Sequence, residues 1–313
     1  MALAVLDRAA RQAHWLLVAG LLIGIASPTL ALMAKPWIAE MIAAMLFLAA
    51  LRVGPKRLIG AKADFSRSLG VALILQLALP VALYFMLSAS GISGPLLLGL
   101  MLMSAAAPIS GSPNLAIIMG GDPAPSLRLL AVATAILPLT AIPVFWLSPA
   151  LGTPAEIFAA AARLLAVIAV AVTAAFAVRA KFLPDPDQNQ TRMIDGLSAI
   201  LMAAVVVGLM SAVGEALFED PRALAFNMAV AFAANLLLQI AALIVARRFF
   251  NGADAVAFAI AAGNRNIALF LTALPAAVTD PLLLFIGCFQ VPMYLTPMMM
   301  GRIYRRVTAR QTS

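Results

Sequence analysis

The chain consists almost entirely of apolar runs, each about as long as a helix needs to be to cross a lipid bilayer. A membrane-spanning helix needs about 20 apolar residues. Runs close to that length lie at roughly 13–33, 36–53, 68–88, 93–120, 125–148, 155–178, 194–215, 222–246, 254–277 and 281–301. Hydrophobic residues make up 64% of the 313 positions and charged residues 11%, whereas a soluble domain is nearer to about half apolar and a quarter charged. The sequence therefore predicts an all-α integral membrane protein with ten transmembrane helices, whose main partner is the lipid bilayer.

The basic residues are distributed unequally between the two sets of alternate loops. Lys35 and Arg222 lie in loops of one set, and Arg163 and Arg265 lie inside apolar runs. The other 17 of the 21 basic residues lie at the termini or in loops of the second set. By the positive-inside rule, this predicts a multi-pass protein of the plasma membrane (the bacterial inner membrane) with both termini cytoplasmic. Topology thus accounts for the net charge of +8, and we expect no nucleic-acid partner.

The ninth apolar run has a polar centre, where Asn264, Arg265 and Asn266 follow Gly263. An arginine at mid-bilayer costs roughly 2.5–3.5 kcal/mol on insertion scales, so it needs a partner or a water-lined cavity. The glycine weakens the helix locally, and irregular backbone at membrane depth survives only where it is buried in protein or lines a cavity. A polar interruption of this kind is the best sequence indicator of a transporter's substrate site.

The fourth run carries a second interruption, made of helix-breaking and polar residues: Pro108, Ser110, Gly111, Ser112, Pro113 and Asn114. Two prolines and a glycine remove backbone hydrogen bonds and kink or unwind a helix. We expect the second half of this helix to begin near Pro113, because proline is favoured at the first helical position. The N-terminus of that half-helix would offer free N–H groups to an anion.

The two interruptions fall at equivalent places in an inverted repeat. Ten helices with both ends on one side divide into two sets of five, residues 1–150 and 151–313, which run through the bilayer in opposite directions. Helices 4 and 9 then correspond, and the stretch Pro113-Asn114-Leu115-Ala116 matches Arg265-Asn266-Ile267-Ala268. We therefore predict that helices 4 and 9 are discontinuous and cross each other. The two repeats would form one transmembrane unit with a core and a panel.

Together the interruptions predict a mid-membrane site for a carboxylate or a similar small organic anion. The residues expected to bind the substrate are Asn114, Asn264, Arg265 and Asn266, with Ser110, Ser112 and Gln76 behind them. The residues expected to break the helices are Pro108, Gly111, Pro113 and Gly263. The leading interpretation is a secondary transporter that works by alternating access.

Other interpretations remain open. The prolines are compatible with simple kinks in packed helices, and amides such as Gln76, Asn235 and Gln239 with hydrogen bonds between helices. An intramembrane enzyme is disfavoured because the chain has a lone His14, the single Cys288 and no paired acids at membrane depth, so we expect neither an enzyme nor a cofactor. A channel or a non-transporting receptor on the same fold is a further alternative, although the polar groups cluster at one depth.

At these two interruptions the sequence resembles the bile acid:sodium symporter family. Pro108 and Asn114 keep the spacing of the family's helix 4 motif, and the turn Gly121-Asp122 follows it. In helix 9, the stretch Ala261–Asn266 occupies the place of a family motif that contains an acid, a glycine, a glutamine and an asparagine. The resemblance implies ten helices as two inverted repeats, with helices 4 and 9 broken and crossing, and symport of organic anions with sodium.

The chain departs from the family pattern where the resemblance would place sodium ligands, near Asn114, Ser126 and Ala261. The family's helix 9 acid falls on Ala261, its glutamine on Arg265, its helix 4 serine on Pro113, and a hydroxyl expected one turn after Ser126 falls near Leu130. A sodium ion beside a guanidinium without a carboxylate is electrostatically unfavourable. Our hypothesis is that Arg265 replaces the coupling cation as a fixed charge, so that transport is sodium-independent, either facilitated or proton-coupled. A sodium-coupled symporter with altered ion sites is the alternative; substrate identity, the direction of transport and oligomeric state stay open.

Overall fold

The computed structural model describes residues 2–54 and 62–309, and within these ranges the chain forms helices and no β-strand. We number the helices α1 (Ala2–Arg11), α2 (Ala13–Ala26), α3 (Pro28–Val53), α4 (Asp64–Ala89), α5 (Gly94–Ala105), α6 (Ser112–Ile118), α7 (Pro123–Trp146), α8 (Pro154–Phe182), α9 (Gln188–Glu219), α10 (Pro221–Ala246), α11 (Gly252–Gly263) and α12 (Ala276–Ala309).

The helices have the length and composition of membrane spans. In the described part, seven of them (α3, α4, α7, α8, α9, α10 and α12) are long and apolar enough to cross a bilayer. The helices α1 and α2 meet at an angle of 90° and qualify together as one bent span, and α5 and α11 are shorter apolar helices. The predicted class, an all-α multi-pass membrane protein, is confirmed at this level.

The first boundary between spans lies earlier than predicted. Ser27 leaves the helical conformation with φ −127° and ψ 81°, and Pro28 opens α3. The predicted start at Pro36 is wrong, because Pro36 lies inside α3 in a 3₁₀ turn, Lys35–Trp37. Proline is well placed at the first turn of a helix, where its missing N–H costs no bond, and the 3₁₀ turn accommodates the second proline. The predicted end at Gly54 is correct, since Gly54 has φ +69°.

The fourth predicted run is interrupted as expected. The helix α5 ends at Ala105, residues 106–111 are not helical, and α6 begins at Ser112 with Pro113 in its first turn. The next turn also matches its sequence, because the Asp122 carboxylate accepts a hydrogen bond of 2.8 Å from the Ala124 N–H and caps α7. The prediction of a second half-helix near Pro113 is confirmed.

The ninth run is also interrupted, but its second half differs from the prediction. The helix α11 ends at Gly263, and after three residues the chain resumes as a 3₁₀ helix, Ile267–Thr272, rather than as an α-helix. The short length follows from Pro275, which lacks an N–H and disfavours helical conformation in the residue before it. The tenth run starts earlier than predicted, at Ala276, and Asp280-Pro281 lies in a 3₁₀ turn within α12.

The helices pack as two groups. The helix α9 packs against α1, α2 and α3, and α8 packs against α3. The second group contains α4, α5, α6, α7, α10, α11 and α12, with α10 packed on both α11 and α12, and α7 packed on α4, α6 and α11. The groups meet where α7 packs against α8, where α3 contacts the 3₁₀ helix and where α9 contacts α12. Gly287 of α12 permits a close approach there, because a Cβ at this position would lie 2.8 Å from the carbonyl oxygen of Leu209.

Candidate functional site

The two interrupted runs are joined at their interruptions by backbone hydrogen bonds. The Ile109 N–H donates to the Asn264 carbonyl at 3.0 Å, and the Asn266 N–H donates to the Ala107 carbonyl at 2.8 Å. Pro108 and Arg265 thereby face each other as an isolated antiparallel bridge. Buried backbone groups that leave a helix need new partners, and here each interruption supplies partners to the other.

The side chain of Arg265 lies beside this bridge and is 1% exposed. Its guanidinium donates to three backbone carbonyls from three different segments. Nη2 lies 2.6 Å from the oxygen of Ser104 in α5 and 3.5 Å from that of Leu75 in α4, and Nη1 lies 3.4 Å from that of Ala261 in α11. We call these three oxygens the carbonyl cage. Among the described residues, no carboxylate forms a salt bridge with Arg265.

The sequence explains why these carbonyls are free. In an α-helix, the Ser104 carbonyl would accept from residue 108, but Pro108 has no N–H. The Leu75 carbonyl lies in a π-helical turn, Ile74–Ala78, in which the Leu79 N–H bonds to Ile74 instead. The next donor along the chain would be Pro80, which again has no N–H. The third cage oxygen, from α11, belongs to the last turn of its helix, where carbonyls lack helical partners.

The cage has negative electrostatic character without containing an acid. Ser104 and Ala261 lie in the last turns of α5 and α11. The C-terminus of an α-helix carries roughly half a negative charge, which favours a cation nearby. Two helix C-termini and a freed carbonyl of α4 thus stabilise the positive charge of Arg265, and the guanidinium in turn satisfies groups that would be costly to bury alone.

On the other side of the bridge, Asn264 belongs to a buried network of side chains. Its Oδ1 accepts from Thr296 Oγ1 at 3.0 Å, and its Nδ2 donates to the Ile260 carbonyl at 2.9 Å. Asn235 Nδ2 donates to the Gly263 carbonyl at 2.7 Å. Asn264 therefore faces α10 and α12, away from the carbonyl cage.

A cavity of about 330 Å³ borders the bridge. Its polar lining is small and comes from Ser110, Thr134, Thr173, Arg265, Asn266, Gln290 and Tyr294. The remaining lining residues are mostly aliphatic and come from α3, α7, α8, α9 and α12, from the bridge segment Pro108-Ile109 and from the 3₁₀ helix. On α3 the lining extends from Ile42 to Val53, so the cavity lies toward the C-terminal end of that helix.

The predicted site residues separate into two sets. Pro108, Ser110, Arg265 and Asn266 line the cavity; Gln76, Gly111, Ser112, Pro113, Asn114, Gly263 and Asn264 do not. Gln76 is buried and donates to the Ala133 carbonyl at 3.0 Å. Asn114 is exposed on α6.

Four of the polar lining residues were not predicted as site residues: Thr134, Thr173, Gln290 and Tyr294. Gln290 and Tyr294 lie one turn apart on α12, and the Tyr294 hydroxyl donates to Gln290 Oε1 at 3.2 Å. Their signal in the sequence is an i, i+4 pair of hydrogen-bonding side chains inside an apolar run. That signal alone does not tell which helix face meets a cavity.

The positions considered for sodium are arranged as follows. The hydroxyls of Ser112 and Ser126 are buried and have no hydrogen-bond partner among the described residues. The Ala261 carbonyl accepts from Arg265, as described above. Among the described residues, no three His, Cys, Asp or Glu side chains cluster in a way that could hold a metal ion.

These features define a class: an all-α, multi-pass membrane protein in which two interrupted helical runs pair around a buried arginine beside an apolar cavity. The chain matches no protein-family model, and no curated protein is significantly similar to it.

Proposed function

We propose that the protein is a secondary transporter of a small organic anion and works by alternating access. The observation that carries this proposal is the position of Arg265, a buried cation without a carboxylate partner among the described residues, at the edge of an apolar cavity and between two interrupted helical runs. Ionisable side chains at membrane depth mark substrate or ion pathways. Interrupted helices that pair near mid-membrane supply the binding site in several transporter folds.

The same observation supports a fixed-charge mechanism. The guanidinium lies among backbone carbonyls at two helix C-termini, which is the type of environment that transporters offer to a coupling cation. Arg265 would provide permanently the positive charge that a sodium symporter obtains from the medium. Transport would then need no sodium gradient and would be facilitated or proton-coupled. The protein would then share a fold with the bile acid:sodium symporter family, which its sequence resembles, but not that family's coupling to sodium.

Substrate recognition is assigned to the cavity side of the bridge. Ser110 and Asn266 are partly or fully exposed there, and Arg265 lies beside them with N–H groups beyond those that its three carbonyl partners accept. A carboxylate at this edge would receive charge-assisted hydrogen bonds. The aliphatic walls would bury the rest of the substrate. Asn264, Gln76 and Ser112 would support the site rather than contact the substrate.

The two helix groups are candidates for the moving parts. We propose that α1, α2, α3, α8 and α9 form the panel and that the remaining helices form the core, within ten spans arranged as two inverted repeats. The panel contributes α3, α8 and α9 to the cavity wall, and the core contributes the bridge, α7 and α12. Rocking of one group against the other would expose the cavity alternately to the two sides of the membrane.

A sodium-coupled symporter with altered ion sites is the second candidate. It is favoured by the buried hydroxyls of Ser112 and Ser126, which have no partner among the described residues. Buried polar groups are normally hydrogen-bonded, and a bound sodium ion would satisfy them. The two candidates differ in one measurable respect, namely the requirement for sodium.

Uptake by proteoliposomes tests both candidates. Cholate, 2-oxoisovalerate and pantothenate, which represent three kinds of organic acid, would be offered with a sodium gradient and with potassium in its place. We expect saturable, counterflow-competent uptake of at least one acid at the same rate in both salts. A strict sodium requirement would support the second candidate. A lack of saturable uptake for all three acids would contradict the transporter proposal.

Replacing Arg265 tests the assignment of the site. Hydrogen bonds to charged groups are worth about 1.5–3 kcal/mol, so Arg265→Ala should lower the rate of uptake at low substrate concentration by roughly 10- to 150-fold. Arg163→Ala is the matched control, because Arg163 is an exposed arginine within the apolar helix α8. Unchanged uptake by Arg265→Ala, or an equal loss in both variants, would refute the assignment.

A further inference from the structure

A buried chain of side-chain hydrogen bonds connects the ninth-run interruption to α12. Tyr304 Oη donates to Gln239 Oε1 at 2.7 Å, and Gln239 Nε2 donates to Asn235 Oδ1 at 2.6 Å and to Thr296 Oγ1 at 3.2 Å. Thr296 Oγ1 in turn donates to Asn264 Oδ1 at 3.0 Å. We call Asn235, Gln239, Thr296 and Tyr304 the amide network. None of its four members lines the cavity, and all four are 0% exposed.

The bonds of the network to α11 all end on the two residues immediately before Arg265. Asn235 holds the Gly263 carbonyl, and Thr296 and Asn235 hold the Asn264 amide oxygen. The fit requires glycine, because a Cβ at position 263 would lie 2.7 Å from the Asn235 carbonyl oxygen and would overlap Gln239. The last turn of α11 is therefore fixed against α10 and α12.

The segment that carries Arg265 is thus held from both sides. On one side, the backbone bonds of Asn264 and Asn266 fix it to residues 107–109. On the other side, the amide network fixes the Asn264 side chain and the Gly263 carbonyl. In extended backbone, the side chains of two consecutive residues point in opposite directions. Holding Asn264 toward α12 therefore directs Arg265 toward the carbonyl cage.

We propose that the amide network positions Arg265, with Thr296 as its principal positioning residue. Thr296 is the member on α12 that contacts the interruption directly, and the same helix carries Gln290 and Tyr294 into the cavity wall. The network thus sets the direction of the Arg265 side chain, and it transmits displacements of α12 to the site. This inference rests on the proposed function for its consequence in transport. Its structural part, the coupling between Thr296 and Arg265, stands without it.

A double-mutant cycle tests the coupling without any ligand. The unfolding temperatures of the full-length protein in detergent would be measured for wild type, Thr296→Val, Arg265→Ala and the double variant. Residues that act through one another show non-additive effects. We expect the double variant to lose about 2–4 °C less than the sum of the single losses. Additive losses would overturn the proposal.

Three further variants make the cycle specific. Thr308→Val is the matched control on α12, because Thr308 bonds only to carbonyls of its own helix among the described residues; its effect should add to that of Arg265→Ala. Thr296→Ser keeps the hydroxyl and should restore wild-type behaviour. Tyr304→Phe removes the far end of the network and should couple in the same direction, more weakly, which keeps the test valid if Thr296→Val does not fold.

Acid binding separates this inference from the proposed function. Calorimetric titration with cholate, 2-oxoisovalerate and pantothenate should show Thr296→Val raising the Kd of the binding acid roughly five-fold, since one buried neutral hydrogen bond is lost, with no further effect in the Arg265→Ala background. A non-additive cycle together with unaffected acid binding in Arg265→Ala would preserve the positioning role and reject the transport site. An additive cycle together with binding lost in Arg265→Ala would do the reverse.

Discussion

Arg265 is held in the protein interior by three backbone carbonyls, and no carboxylate among the described residues pairs with it. Its location in an apolar run predicts burial and a need for partners, and the burial is observed. The identity of its partners was not predictable from the neighbouring residues, because Leu75 and Ser104 lie far away in the chain. Their carbonyls become acceptors only because Pro80 and Pro108 withhold N–H groups and the fold brings both to the end of α11. The sequence-based prediction of a cation that faces a substrate carboxylate did not include the three backbone carbonyls of the cage.

The carbonyl cage makes a prediction at this scale. Arg265→Ala would leave three backbone carbonyls without a donor in a space shaped for a guanidinium, and buried unsatisfied acceptors favour any fitting cation. Adding guanidinium ion at millimolar concentration should therefore restore part of the lost uptake in proteoliposomes of Arg265→Ala, roughly ten-fold over the unsupplemented variant.

Wild type, Arg163→Ala and potassium serve as controls for this rescue. Guanidinium should not stimulate wild type or Arg163→Ala, since the cage is occupied in both. Potassium at the same concentration controls for ionic strength. Rescue by sodium to the same extent would indicate that the cage also holds a bare cation. The absence of rescue by any cation would count against an electrostatic role for Arg265.

At the scale of elements, the sequence predicted which segments are interrupted but not how each one resumes. The two prolines and the glycine of residues 108–113 predicted α6 correctly, because the first turn of a helix accepts Pro113 without losing a bond. After Gly263 the same reasoning predicted a second α-helix, and the chain instead forms a 3₁₀ helix before Pro275. Similarly, Pro28 rather than Pro36 begins α3. Local rules allow either proline to open the helix, and the choice depends on how α2 and α3 pack against α9, which no local pattern contains.

Replacing Pro108 should change where α5 ends. Pro108→Ala supplies an N–H four residues after Ser104, so the Ser104 carbonyl can form a helical bond and no longer needs Arg265. We expect α5 to extend, the bridge to Asn266 to weaken, and uptake to fall about ten-fold, as for the loss of one charge-assisted hydrogen bond. The helical content from circular dichroism should not decrease.

Pro143→Ala is the matched control for this change. Pro143 lies inside α7, is exposed, and its missing N–H leaves a carbonyl of the same helix free, away from the bridge. Its replacement should leave uptake unchanged, and the unfolding temperature should stay the same or rise. If Pro108→Ala transports as well as Pro143→Ala, the freed Ser104 carbonyl has no part in the site.

For the whole molecule, composition and the lengths of the apolar runs were sufficient to predict the fold class. A chain this apolar is unlike soluble domains in composition, and helices are one of the few structures that span a membrane. The packing of α3, α8 and α9 into one group was not predictable, since the aliphatic faces of these helices are similar.

The cavity lies toward the C-terminal end of α3, near Arg52 and Arg179. At the other end of α3, Lys35 Nζ lies 3.2 Å from Asp280 Oδ1 of α12. This ion pair joins the two helix groups on the side away from the cavity.

The Lys35–Asp280 ion pair leads to a prediction about conformational state. In the proposed mechanism, the pair holds the two groups together on one side while the cavity serves the other. Both side chains are partly exposed, at 35% and 51%, and exposed ion pairs contribute about 0–1 kcal/mol. Breaking the pair should therefore shift the conformational equilibrium by no more than roughly five-fold. A cysteine introduced by Ala131→Cys in the cavity wall, in a Cys288→Ala background, reports the shift through labelling by an impermeant maleimide.

The expected result depends on the side of the membrane from which the maleimide is added. Lys35→Ala and Asp280→Ala should each increase labelling from the Lys35 side, and the exchanged pair, Lys35→Asp with Asp280→Lys, should restore the wild-type rate.

Arg52→Ala is the control, because Arg52 pairs with Asp195 at the opposite end of α3 and both belong to the panel group. Since that pair does not join the two groups, its loss should leave labelling from the Lys35 side unchanged. Equal labelling from that side in all variants would mean that the pair does not hold the groups together, and the closed side would then have to depend on apolar contacts such as those of Gly287 with α9.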